Sequence, residues 1–232
     1  MGAYGWSLPA RAETNRSMIF ADRADAGKQL AAKLTAYAGS DTRVLALPRG
    51  GVPVGVEVAT ALPAPLDVFV VRKLGAPGRE ELALGAIASG GVRVLNEETI
   101  SALDIDARTL DAITQREALE LQRREDAYRD GRPAQDVRDR TVILVDDGLA
   151  TGASMFAAVV ALRARSPASI VVAVPVAPPE TCSALERYVD DLIVVAMPQP
   201  FRGVGAWYAD FSQVSDEEVR GLLRDAAAID RR

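Results

Sequence analysis

The chain alternates short, almost wholly apolar runs with longer segments in which apolar residues recur every three or four positions. The runs fall at residues 44–47, 67–71, 142–145, 169–176 and 192–196. Uninterrupted stretches of this length predict strands buried on both faces, as in a parallel sheet. Helical spacing predicts helices beginning near Asp22 and over 53–62, 104–129, 179–188 and 216–229, with another opening after Gly152. The first is read as capped, and Ser215 opens the last. In the 104–129 helix, Leu110, Ile113, Ala118 and Leu121 mark the inner side, and its many Arg and Glu residues read as a solvated face. Residues 85–95 predict a hairpin turning at Ser89, Gly90 and Gly91. Strand and helix alternating in this way predict an α/β fold, a doubly wound and mostly parallel sheet with an antiparallel hairpin. Residues 18–232 read as one domain, and residues 1–17 as a disordered extension.

Composition removes several classes of function. The 232 residues are 49% hydrophobic, enough for a substantial core. The single cysteine, Cys182, argues against a disulfide framework and suits a reducing compartment, so a cytoplasmic location is expected. The absence of histidine excludes a Ser-His-Asp triad, an H-E-x-x-H metal site and His proton shuttles. Chemistry must rest on carboxylates, cations, backbone donors and a metal. A net charge of −5 counts against wholesale nucleic-acid binding. No apolar run approaches the length of a membrane span.

The most informative stretch is residues 142–154, V-I-L-V-D-D-G-L-A-T-G-A-S. Asp146 and Asp147 are placed at the carboxyl end of a strand, where open α/β sheets bind ligands. The backbone N–H groups of residues 148–153, with the hydroxyls of Thr151 and Ser154, are suited to surround a phosphate at a helix N-terminus. Two adjacent carboxylates suit vicinal ribose hydroxyls or a hydrated divalent cation instead. A second stretch, L-P-R-G-G-V-P-V-G at 47–55, puts Arg49, Gly50 and Gly51 after another strand, offering a guanidinium and N–H groups to an anion. A third, residues 71–87, carries Arg72 and Lys73 at a strand end, then a breaker-rich segment at 75–78 that reads as a mobile loop, with Arg79 beyond it. A fourth, residues 199–211, interleaves aromatic residues with glycines after the last strand.

Taken in order, these stretches resemble the type I phosphoribosyltransferases, which use 5-phosphoribosyl-1-pyrophosphate (PRPP), and the chain looks like a less-studied bacterial branch of them. The resemblance implies that Asp146 and Asp147 hold the ribose hydroxyls and, through PRPP or water, Mg2+. It implies that Gly148, Ala150, Thr151, Gly152 and Ser154 hold the 5'-phosphate. Arg49, Gly50, Gly51, Lys73 and Arg72 would contact the pyrophosphate, with a non-proline cis peptide expected at Arg49–Gly50. Residues 197–215 would form a hood whose Phe201, Val204, Trp207 and Tyr208 wall the acceptor site. The activity implied is Mg2+-dependent transfer of phosphoribosyl from PRPP to a nitrogenous acceptor in nucleotide salvage, by a homodimer. Asp146, Asp147, Lys73 and Arg49 are the expected catalytic residues. Ala150 stands where 6-oxopurine enzymes carry a third Asp, so an adenine-like base is favoured. The alternative is a PRPP-binding sensor with little catalytic activity.

Overall fold

A computed structural model describes residues 20–39 and 41–229. The extension expected at residues 1–17 lies outside the described residues. Five strands, β1 (Thr42–Ala46), β2 (Leu66–Val68), β6 (Thr141–Val145), β7 (Ser169–Val176) and β8 (Asp191–Ala196), form a parallel sheet in the order β2-β1-β6-β7-β8. Three more, β3 (Val71–Ala76), β4 (Arg79–Ala88) and β5 (Val92–Leu95), form a separate antiparallel sheet.

The apolar runs explain the layering. On β6, Val142 and Leu144 face one core with Met155, Val159 and Leu162 of α5 (Ala153–Arg163) and Leu185 of α6 (Pro179–Leu185). The alternate residues Ile143 and Val145 face a second core with Leu30 of α1 (Arg23–Ala31) and with Val54 and Val58 of α2 (Gly51–Ala61). A strand with cores on both faces must be apolar at every position, and that is the doubly wound arrangement. A third core joins α4 (Ala107–Arg129) and α7 (Asp216–Ile229) to the antiparallel sheet through Leu110, Ile113, Val219 and Leu74. The short α3 (Glu97–Ala102) precedes α4, capped by Asn96, whose side chain accepts from the Thr99 N–H at 3.0 Å.

Four expectations are corrected. The run 67–71 is two strands rather than one: β2 ends at Val68, β3 begins at Val71, and both linking residues, Phe69 and Val70, are buried. Continuous apolarity hides the break because burial persists through the change of sheet. Arg72 and Lys73 consequently lie within β3, opposite Ile87 and Ala86, and not at the end of a parallel strand. The loop expected at 75–78 is half strand: Gly75 and Ala76 belong to β3, and Ala76 pairs with Arg79 around a tight turn at Pro77 and Gly78. On α4, the buried stripe takes in Glu117 and Glu125 while Ala118 is exposed. Those two carboxylates are tolerated because each meets a guanidinium, Arg72 at 2.9 Å from Glu117 and Arg129 at 2.7 Å from Glu125.

The strand order places the reversal of winding between β1 and β6. The crevice outside the carboxyl ends of these two strands is where such sheets bind ligands.

Candidate functional site

The acid pair follows β6 directly, and the 48–51 loop follows β1 directly, so the switch point brings both together. Gly50 packs so closely that a Cβ there would lie 2.0 Å from Asp147 Oδ2. A Cβ on Gly51 would meet the Val145 carbonyl at 2.8 Å and Asp146 Cα at 2.9 Å. The two glycines are therefore required by proximity: any side chain would force apart the 48–51 loop and the acid pair. Gly51 donates its N–H to the Leu47 carbonyl at 3.0 Å, which removes it from the expected anion donors. The non-proline cis peptide is Pro48–Arg49, one bond before the expected position. Arg49 is half-buried at the crevice edge, 3.9 Å from Asp216 of α7.

Asp147 Oδ2 accepts from Arg23 Nε at 2.8 Å, and Asp146 Oδ1 accepts from the Asp147 N–H at 2.8 Å. Burial pushes both carboxyls above the usual range; the neighbouring charge of Asp147 raises Asp146 further, and Arg23 draws Asp147 part of the way back. Arg23 is not among the residues the sequence motifs single out, because it lies 124 residues from Asp147. One signal does exist: it is the first residue of α1, where the helix dipole disfavours a cation.

Beyond the acid pair, Gly152 adopts a left-handed φ of 74° to start α5, and Thr151, Ala153 and Ser154 are exposed at that helix N-terminus. The Leu149 N–H bonds the Val176 carbonyl at 2.9 Å and so leaves the expected ring of phosphate donors. The Ala150 carbonyl accepts from Thr181 Oγ1 at 2.8 Å, pinning the loop on α6. Lys73 is exposed on β3 and shares with Ser154 a cavity of about 300 Å³ between the antiparallel sheet and α5. Arg72 is engaged by Glu117 through Nε and Nη2, at 2.9 and 2.5 Å.

The 197–215 segment covers the crevice from the other side. Val204 reaches over Gly148, whose absent Cβ would sit 2.6 Å from Val204 Cγ1. Phe201, Val204 and Trp207 pack on a cluster of Phe20, Ala26, Val176 and Tyr208. Tyr208, expected to offer its ring to an acceptor, is buried between Phe20 and Phe211, with ring centroids 5.2 and 4.9 Å away. Its hydroxyl donates to the Asp147 carbonyl at 2.5 Å, and burial pushes the phenol upward, keeping it a donor. Tyr208 is thus a strut beneath the acid pair, because its faces are already taken. Among the described residues, the Trp207 indole N–H is buried without a hydrogen-bond partner.

Among the described residues no group of three or more His, Cys, Asp or Glu converges as a metal cage. Mg2+ is commonly held by one or two carboxylates, with water and substrate phosphates supplying the rest. Asp146 and Asp147 fit that smaller share.

The phosphoribosyl transferase domain model matches residues 16–201. The chain belongs to the phosphoribosyl transferase domain family. Two family relatives from Mycobacterium tuberculosis, strains CDC 1551 and H37Rv, each named "Putative phosphoribosyl transferase", are 45% identical over 219 residues. The match takes in 91% of this chain and 49% of each relative, so the chain spans about half the length of these curated relatives. The crystal structure of TT1426 from Thermus thermophilus is similar along nearly its whole length, with a TM-score of 0.81 and 43% identity over 90% of this chain and 99% of that one. No helix among the described residues is long and apolar enough to cross a membrane.

Proposed function

We propose that this chain transfers the 5-phosphoribosyl group of PRPP to a nitrogenous acceptor, releasing pyrophosphate. The observation that carries the reading is the close approach of Gly50 and Gly51 to Asp146 and Asp147, which sets the Arg49 loop against the acid pair at the β1–β6 switch point. In that crevice Asp146 and Asp147 accept hydrogen bonds from the ribose 2' and 3' hydroxyls. Thr151, Gly152 and Ser154 receive the 5'-phosphate, favoured by the helix dipole. Arg49 and Lys73, with the Gly50 N–H, face the negative charge that grows on the departing pyrophosphate.

The C1–oxygen bond to pyrophosphate breaks as the acceptor nitrogen bonds C1, and the acceptor's proton leaves to solvent. Bound Mg2+ would neutralise pyrophosphate charge. Oxocarbenium character at C1 is tolerated because the nearby charges are carboxylates, and positioning supplies most of the acceleration.

Ala150 brings no carboxylate to the phosphate loop, which supports an adenine-like acceptor over a 6-oxopurine. Pyrophosphate release from PRPP with Mg2+ is to be measured against adenine, guanine, hypoxanthine, xanthine, uracil, orotate and small amines. Release stimulated by adenine is the expected result. Stimulation by another base corrects the acceptor, and PRPP that binds but survives every acceptor replaces transfer with sensing.

A further inference from the structure

Arg23 begins α1 at the end of a helix that disfavours a cation, yet its side chain is largely enclosed, with 10% exposure. Helix formation does not account for it. Its guanidinium is committed in three directions. Nε donates to Asp147 Oδ2 at 2.8 Å, and Nη1 donates to the Ser212 carbonyl at 2.8 Å. Its central carbon lies 4.0 Å from the Phe211 ring centroid, within cation–π range.

The backbone around Arg23 is held by the same region. The Phe20 N–H donates to the Trp207 carbonyl at 2.8 Å, and the N–H groups of Ala209 and Asp210 donate to the carbonyls of Phe20 and Ala21 at 2.7 and 2.9 Å. The guanidinium therefore starts from a fixed backbone, lies against a ring and ends on the carboxylate.

We propose that Arg23 is a positioning residue for Asp147, anchoring Oδ2 so that Oδ1 is presented to a ribose hydroxyl, and tying that carboxylate to the hood through Ser212 and Phe211. The inference rests on the ribose role proposed for Asp147. A planar fork held on an aromatic face fixes a carboxylate's rotation, whereas an ammonium supplies only a point charge. Arg23 itself touches no substrate in this scheme; it acts through Asp147.

The test is calorimetric titration of PRPP, with Mg2+, into the full chain and its Arg23→Met, Arg23→Lys and Phe211→Leu variants, with melting temperatures taken alongside. Arg23→Met is expected to weaken PRPP binding roughly tenfold or more, since it strands a buried charge. Arg23→Lys restores part of the loss. Phe211→Leu keeps apolar bulk but removes the π face, and is expected to weaken binding about threefold. A purely structural ion pair would lower the melting temperature and leave PRPP affinity unchanged in the folded protein, which would overturn the inference. Should Arg23→Met not fold, wild-type affinity in both other variants overturns it equally. Failure of the wild-type protein to bind PRPP removes the ribose reading itself and the role of Arg23 with it.

Discussion

A single methyl group at Gly50 would sit 2.0 Å from the Asp147 carboxylate. Gly50→Ala must therefore move either the loop or the acid. Displacements of about an ångström at a reacting site cost on the order of a hundredfold in rate, and a loss of that size is expected in pyrophosphate release, with far-UV circular dichroism unchanged. Asp147→Asn preserves shape while removing the charge proposed to face the ribose. Turnover is expected to fall about a hundredfold with the fold intact, and wild-type turnover would refute the role given to Asp147. At this scale the sequence displays what is local. Asp146, Asp147, Thr151, Gly152 and Ser154 adjoin one another in the chain, as do Arg49, Gly50 and Gly51, and local spacing alone brings each set to a strand end. Arg23 holds the Asp147 carboxylate and Tyr208 its backbone carbonyl from remote elements; a cation at a helix start and a place in the aromatic 199–211 stretch mark the two residues, but neither signal names Asp147 as the partner.

Among the elements, α4 departs most from its expected character. A helix rich in Arg and Glu reads as solvated, yet two of its carboxylates face inward because β2 and β3 are packed beneath them. The cations that receive Glu117 and Glu125 come from β3 and from the last turn of α4; the second pair is an i,i+4 pair within the helix, whereas the first is visible only once the antiparallel sheet is in place. The same helix meets α7 through Tyr128, whose hydroxyl donates to Asp216 at 2.7 Å. Burial, then that hydrogen bond, pushes the phenol from its ordinary 10 up to about 12. Because the folded value is raised, the stability it contributes is complete below about pH 10 and is lost as pH rises through about 12. Tyr128→Phe is expected to cost about 1 kcal/mol at pH 8. In urea titrations the gap between variant and wild type should narrow across that alkaline window; a constant gap would show that the phenol is not the titrating contact.

For the molecule as a whole, the fully apolar strands announced a two-faced parallel sheet, but not the order of its strands. That order decides where the site lies, since it puts β1 beside β6 and their two loops against each other. Leu144 lies at the middle of this arrangement, fully buried on the central strand. Leu144→Ala is expected to cost about 3 kcal/mol, seen as a lower urea midpoint with an unchanged slope if one cooperative unit is breached. The hood makes a different demand. It is stitched to the start of the described residues, with Arg23 and Ser212 189 residues apart in sequence, so its closure waits on one of the longest loops those residues can form. During synthesis the acid pair and the 148–154 loop leave the ribosome well before the segment that covers them. A nascent chain would thus carry an uncovered crevice until residues 197–215 have followed, and only then would the acid pair be sheltered.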